Sequence, residues 1–438
     1  MPHEFPPTTL ALPPNPLLDK ARSIARTAHE RGARALLVGG YVRDALLGLS
    51  PKDADLEVYQ IEPSDLRQLL GRFGRVNCVG ESFRVYKLAW HQGDERFELD
   101  VSIPRRDQKT GSGHRGFEVE GDPNASFEDA ARRRDFTLNA ILCDPLNGEI
   151  IDPFGGRADL EKKTLRAVDA AHFAEDSLRV LRAMQFAARF GLEIAPETVA
   201  LCRTIDLSDL PRERIWAEWE KMLLKAARPS VGLVAARELE ILAKLFPYFL
   251  PAVGERFSAL CARLDSAADV IASTGNFSDE RRITMLLAAT GALIGAVNLE
   301  KWLDDFGLKT LNGYPVREQA MILTKNLVHP ERAFLSPDAT DGEWRRVAFR
   351  GEAAMNYALA RAFGFDGAEL FKRRTQELGV WDGPPAPLLM GRHLVEMGLK
   401  PGPRIGEITR AVYEMQLDGV VTNGDEALDA AQTLIDED

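Results

Sequence analysis

The run Leu37-Val38-Gly39-Gly40-Tyr41-Val42-Arg43-Asp44-Ala45-Leu46-Leu47-Gly48, followed closely by Asp53-Ala54-Asp55, decides the fold of the first part of this chain. Residues 35–38 are a short apolar stretch that ends in two glycines; residues 42–47 then return to helical spacing, and Gly48 closes them. The pattern is strand, glycine turn, helix. Upstream, Leu17, Leu18, Ala21, Ile24, Ala25 and Ala28 recur at the spacing of one helix face over 17–31, and Gly32 stands where such a helix stops. Downstream, the runs at 55–59, 83–90 and 97–103 alternate or are rich in β-formers. A small mixed sheet with helices, an α/β head, is expected over residues 1–167.

Beyond about residue 172 the strand signals fade and helical periodicity takes over, at 177–190, 214–225, 231–245 and 407–417. The remainder reads as all-α, punctuated by Pro and Gly clusters at 383–387 and 401–403, with the last subdomain expected to begin near one of them. A chain of 438 residues exceeds one compact core, so several domains are expected. The net charge of −11 argues against a protein that coats nucleic acid by bulk attraction. Basic clusters at Arg105-Arg106, Arg132-Arg133-Arg134, Lys162-Lys163, Arg345-Arg346 and Lys372-Arg373-Arg374 still allow a local basic stripe. Cys78, Cys143, Cys202 and Cys261 stand far apart without a CxxC pair or nearby histidines, which reads as free thiols rather than a zinc site. No stretch approaches the roughly 20 apolar residues of a spanning helix, and the N-terminus is Pro-rich without a basic start and apolar core. No membrane association and a cytoplasmic location are expected.

The opening run also carries chemistry. Paired glycines after a strand let backbone N–H groups approach a phosphate at a helix start, and Arg43 can fork onto the same phosphates. If a strand starts at Asp53, its period of two puts Asp53 and Asp55 on one face, where neighbouring carboxylates want a divalent cation. An Asp-x-Asp pattern alone also suits an ordinary turn; the Gly-Gly-x-Val-Arg-Asp element before it favours the metal reading. A third acid is expected from a neighbouring strand, and Asp100 in Phe97-Glu98-Leu99-Asp100-Val101-Ser102 is placed for it, with Glu98 as a substitute. Three such carboxylates suit two-metal nucleotidyl transfer, one ion activating a 3′-hydroxyl and the other steadying pyrophosphate.

These residues resemble the class II branch of the nucleotidyltransferase family, which contains tRNA CCA-adding enzymes and bacterial poly(A) polymerases. Arg133-Arg134-Asp135-Phe136-Thr137-Leu138-Asn139-Ala140 looks like the family's second motif, whose arginine and aspartate contact the incoming sugar and phosphates. Asp152-Pro153-Phe154-Gly155-Gly156 with Asp159-Leu160 is similar to the third, which joins catalytic head to helical neck. Glu175-Asp176-Ser177-Leu178-Arg179-Val180-Leu181-Arg182-Ala183 looks like the fourth, which reads the base of the incoming nucleotide. In a helix, Asp176 and Arg179 share a face and offer an acceptor and a donor fork to a Watson–Crick edge in place of a template strand. Arg212-Glu213-Arg214 through Glu220-Lys221 resembles the neck motif that follows. Close resemblance covers about residues 35–250, and weaker similarity returns near the C-terminus at Pro401-Gly402-Pro403-Arg404-Ile405-Gly406.

Poly(A) polymerases of this branch usually carry Gly-Arg-Arg-Phe soon after the Asp-x-Asp, whereas this chain reads Val79-Gly80-Glu81-Ser82-Phe83. A flexible loop, absent from CC-adding specialists, is expected between residues 105 and 123, whose glycines would let it move. Full CCA addition is therefore favoured over CC-adding or poly(A) synthesis, an A-adding specialist that would keep the same loop stands as the alternative, and the intact carboxylates argue against a non-catalytic RNA-binding protein. The His-Asp pair of a phosphohydrolase domain is absent, so no phosphatase activity is expected.

The resemblance implies a mixed-sheet nucleotidyltransferase palm as head (1–167), a neck that recognises the nucleobase (168–250), and a helical body and tail that bind tRNA (251–438). It implies Mg²⁺ on Asp53, Asp55 and Asp100, and nucleotide contacts from Gly39, Gly40, Arg43, Arg134, Asp135, Asn139, Asp176, Arg179 and Arg182. CTP, ATP and tRNA are the implied partners; no protein partner is evident.

Overall fold

The computed structural model describes residues 9–51, 53–79, 85–109, 117–274 and 276–436. Helix α1 (Pro16–His29) starts at a cap, Asn15, whose side chain accepts the Leu18 N–H at 2.8 Å. Its buried residues are the six of the expected apolar face. Then come β1 (Arg34–Val38), α2 (Gly40–Leu46), β2 (Asp55–Tyr59), α3 (Pro63–Leu70), β3 (Arg75–Val79), β4 (Val85–Gln92) and β5 (Glu95–Ser102). β8 (Leu142–Cys143) and β9 (Ile150–Ile151) complete a seven-stranded sheet of order β3-β4-β5-β2-β1-β8-β9. Only β2 and β5 pair in parallel; the other neighbours are antiparallel. The mixed α/β head expected from the strand pattern is present.

Between β5 and β8 the segment expected as a flexible loop pairs at its ends. β6 (Arg105–Lys109) and β7 (Phe117–Gly121) form a separate antiparallel hairpin, and residues 110–116 lie outside the described ones. So do residues 80–84, which include all but Val79 of the segment on which the poly(A) comparison rested. One sheet face is closed by Leu36, Val38, Tyr59 and Leu142 packing with Ala130, Ala131, Ala140 and Phe127; the last lies on α4 (Phe127–Arg132). Behind α4 follow a 3₁₀ turn at Thr137–Asn139, α5 (Gly156–Glu161), α6 (Ala170–Phe173), α7 (Leu178–Phe190), α8 (Pro196–Thr204) and α9 (Arg212–Lys225).

The chain divides into two compact units: Met1–Glu218 with Ala235–Leu245, and Trp219–Val234 with Phe246–Asp438. α7 therefore packs in the same unit as the sheet. Phe186 on α7 meets Phe136 edge-on at 5.6 Å, a contact that ties the helix to the segment before the 3₁₀ turn. A two-residue parallel ladder joins Thr164–Leu165 to Glu193–Ile194, a small exception to the all-helical expectation. The expected single helix at 231–245 is two, Pro229–Glu238 and Ile241–Leu245, because Glu240 takes a left-handed φ of 62° that no helix continues through.

The named elements among the described residues of the second unit are all helices. Trp219, Phe246, Phe249, Trp302 and Phe306 nest with ring centroids 5.2 to 6.2 Å apart, so Trp219 serves the core. Phe371, just before the Lys372-Arg373-Arg374 cluster, is fully buried against Phe334 and Trp344. Near the C-terminus Leu389, Leu394, Ile408, Val412 and Val421 form a separate small core. Among the described residues no helix is long and apolar enough to cross a membrane.

Gly156 shows how tightly α5 is seated. A Cβ there would lie 2.1 Å from the Thr137 carbonyl oxygen, a backbone atom with no room to give. Gly156→Ala is expected to cost about 2–3 kcal/mol, seen as a lower urea midpoint at unchanged m-value. An unchanged midpoint would show that the two backbones separate freely.

Candidate active site

The acids come together through strand register. In β2 the two-residue period places Asp55 and Glu57 on one face, with Asp53 just before the strand, and the parallel pairing with β5 sets Asp55 opposite Asp100. The Asp100 N–H donates to the Ala54 carbonyl at 3.3 Å, which fixes this register. Asp53 and Asp55 are exposed while Glu57 is buried. Asp55 has its pKa raised, first because the protein packed around it strips hydration, then because Asp100, Asp53 and Glu57 repel its charge, with Arg134 opposing them. Asp100 also stands 3.6 Å from Lys87 Nζ across the β4–β5 ladder. Glu98, the alternative third acid, pairs instead with Arg96. Among the described residues no three His, Cys, Asp or Glu side chains converge on one point as they stand.

The glycine turn lies directly above. Gly39 has φ +65°, a conformation an L side chain resists, and a Cβ there would come 3.2 Å from Arg134 Nη1 and 3.7 Å from Asp55 Oδ2. Gly39, Asp55 and Arg134 thus meet at one spot. Arg134 is tethered from below, where its Nη2 donates to Glu57 Oε1 at 3.2 Å.

Behind this face runs a buried polar relay. Arg43 donates from Nε to Asp44 Oδ1 at 2.8 Å and from Nη1 to Asn139 Oδ1 at 2.7 Å. Asn139 Nδ2 donates to Asp135 Oδ1 at 2.9 Å, and Arg182 closes the chain, Nε to Asp135 Oδ2 at 2.8 Å. Burial opposes the charge on Asp135, but Arg182, Asn139 and the Phe136 N–H overcome it and hold its pKa below the ordinary value. Burial lowers the Arg43 pKa in turn, against Asp44; its guanidinium also lies 4.5 Å from the Phe190 ring centroid. Arg43, Asp135, Asn139 and Arg182, expected to touch the nucleotide, are thereby engaged with one another. The Asp-Pro-Phe-Gly-Gly segment is a clamp on the same relay. Asp152 accepts the Gly156 and Arg157 N–H groups at 2.8 and 2.9 Å, and Asp159 accepts the Thr137 hydroxyl at 2.8 Å at the start of the turn that carries Asn139.

Asp176 and Arg179 do not stand side by side on a helix. α7 begins at Leu178 with Ser177 as its cap, so Asp176 precedes it and accepts the Leu178 N–H at 3.1 Å. Its carboxylate is held by Arg214 Nη2 at 3.1 Å, while Arg179 donates to the carbonyls of His172 at 2.6 Å and Arg133 at 2.7 Å. Sequence reading passed over Glu57, Asp44 and Arg214 as site residues. The period of two in β2 carried a signal for Glu57, whereas the Arg214 pairing, 38 residues from Asp176, had none.

Comparison with known proteins adds to this geometry. Residues 35–166 match the family of the poly A polymerase head domain, and residues 191–252 match one described as a probable RNA and SrmB-binding site of polymerase A. A multifunctional CCA protein of Xylella fastidiosa (strain M23) is 41% identical over 221 residues, 49% of this chain and 50% of that protein. A CCA-adding enzyme of Marinobacter nauticus is 43% identical over 218 residues, 48% of this chain and 55% of that protein. The chain spans about half the length of the curated relatives it matches. Among solved structures, a CCA-adding enzyme with CTP is 21% identical with a TM-score of 0.69, covering 96% of each chain. The Thermotoga maritima CCA-adding enzyme complexed with tRNA is 20% identical with a TM-score of 0.66, covering 98% of this chain and 99% of that one. At these identities the likeness is one of fold, an α/β head followed by helices.

The relay carries a pH signature. Because Asp135 has a lowered pKa, its contribution is fully present above the unfolded value of 3.8 and is lost as pH falls through the lower folded value. Asp135→Asn leaves Arg182 without its partner and is expected to cost about 3 kcal/mol at neutral pH. Urea midpoints of the two proteins, measured from neutral pH into acid, should converge only below the ordinary carboxylate range.

Proposed function

We propose that this chain, whose head belongs to the poly A polymerase head-domain family, is a tRNA nucleotidyltransferase that adds C, C and A to the tRNA 3′ end from CTP and ATP. The observation that carries the reading is the meeting of Asp55, in register with Asp100, with the Gly39 turn and Arg134. Such a site can hold a triphosphate beside acids, with the backbone close enough to cradle it.

The donor set fits a hard divalent cation, since Asp55 already sits among like charges that a cation would relieve. Asp53, Asp55 and Asp100 would hold Mg²⁺. When bound, the metal supplies charge for activating the 3′-hydroxyl and for stabilising pyrophosphate. The chain's own residues do the rest. Gly39 and Gly40 admit the triphosphate to the backbone, and Arg134 meets its oxygens. Arg43, Asn139, Asp135 and Arg182 act as the floor that orients the ribose and locks the turn. Asp176, held by Arg214, and Arg179 present an acceptor and donors to the base edge, so protein replaces a template. The head at 1–167 is the catalytic domain, 168–250 the neck, and 251–438 the body and tail that bind tRNA. A tRNA substrate suits work in the cytoplasm.

The reading is tested by incorporation from each labelled NTP in Mg²⁺ onto tRNA ending at the discriminator base, onto tRNA ending in CC, and onto a generic RNA. Addition of C, C and A that then stops is the expected result. A-only addition restricted to tRNA ending in CC would make the chain an A-adding specialist, and long A tails on any RNA a poly(A) polymerase. Asp55→Ala should lower transfer at least about a thousandfold, the scale of charge stabilisation a bound metal supplies, with the urea midpoint kept; an active variant would sink the metal assignment. Asp176→Ala is expected to bring GTP and UTP within about tenfold of CTP and ATP in kcat/KM, because the lost acceptor is worth about one charged hydrogen bond.

A further inference from the structure

Glu57 is the one acid of the β2 face to which the proposed reaction gives no task. It follows Asp55 at the strand period, yet its side chain is only 4% exposed. Both of its oxygens are engaged. Oε2 accepts the Tyr59 hydroxyl at 2.8 Å, while Oε1 accepts Arg134 Nη2 at 3.2 Å and lies 3.6 Å from Arg133 Nη2. A carboxylate enclosed in this way is not offered to a metal ion. Burying an ion pair gains little stability over apolar packing of the same volume, so what the pair does supply is placement.

That placement is visible in Arg134. The arginine side chain is long and loses considerable rotamer freedom when ordered. Here one arm of its planar fork is tied to Glu57, which turns the other arm, Nη1, onto Gly39, with Asp55 Oδ2 close to the same point. The guanidinium is thus aimed before any nucleotide arrives. We propose that Glu57 is a positioning residue for nucleotide binding: it holds the Arg134 guanidinium toward the triphosphate at the Gly39 turn. The inference rests on the nucleotidyltransferase reading above, and it adds a fourth acid whose task is orientation.

The test is a double-mutant cycle on the full chain, read by equilibrium binding of CTP and of ATP and by KM and kcat for transfer. Glu57→Gln keeps the shape and an acceptor for Tyr59 but removes the charge that tethers Arg134. It should raise Kd and KM for both nucleotides about tenfold, with kcat changed less than about threefold. Arg134→Ala should weaken binding at least as much, and adding Glu57→Gln to it should change nothing further. Glu57→Asp, which retains the charge on a shorter arm, should fall between wild type and Glu57→Gln, and it serves as the readout if the glutamine variant does not fold. Unchanged Kd and KM in these variants, or effects of Glu57 and Arg134 that add in full, would overturn the proposal. A wild-type chain that binds both nucleotides but adds neither to tRNA would sink the functional reading alone, while full additivity in an active enzyme would sink only the role of Glu57.

Discussion

A carboxylate taken out of water costs several kcal/mol unless an opposite charge and hydrogen bonds replace its hydration. Asp135 meets that condition through Arg182, Asn139 and the Phe136 N–H, and much of the head follows from it. Its partners lie on three separate pieces of chain. Arg182 is on α7, Asn139 is on the 3₁₀ turn, and through Asn139 the relay reaches Arg43 on α2. Each half-satisfied arrangement would leave a buried charge, so the three pieces have one low-energy placement relative to each other. The glycine turn is the beginning of α2, which is how a buried network fixes the position of a surface site.

Charge is organised in two layers around that site. At the surface Asp55 has its pKa raised, chiefly by the loss of hydration and further by the charges of Asp100 and Asp53. Beneath them Glu57 is balanced by Arg133 and Arg134, so the excess negative charge stays in the exposed acids where a cation can reach it. The strongly acidic composition of the whole chain does not conflict with a polyanionic substrate. In the proposed function such a substrate would be met by a few arginines whose positions are set by buried acids, rather than by a basic surface.

The third motif of the head shows how structural and chemical roles share residues. Asp152 caps α5, Gly156 lets α5 press against the Thr137 carbonyl, and Asp159 holds the Thr137 hydroxyl. Together they set the turn that carries Asn139. In the second unit the aromatic nest around Trp219 and Trp302 has the same character, since large rings at edge-on spacing hold several helices in one packing.

Local pattern made a good deal legible. The strand, glycine turn and helix at residues 34–46, the strand that carries Asp55, and the helical character of the C-terminal part follow from period, glycine placement and apolar spacing. These depend on residues within a few positions of each other, where backbone geometry is the controlling term. Partner choice across long separations was not legible. That Arg43 turns inward to Asn139, that Glu57 holds Arg134, that Asp176 meets Arg214 ahead of the helix rather than Arg179 on it, and that Phe371 is core were decided by tertiary packing. The physical reason is that an arginine or an aspartate reads the same in sequence whether it faces a ligand or a buried counter-charge. Only the folded chain fixes which of these partners lies within hydrogen-bond reach.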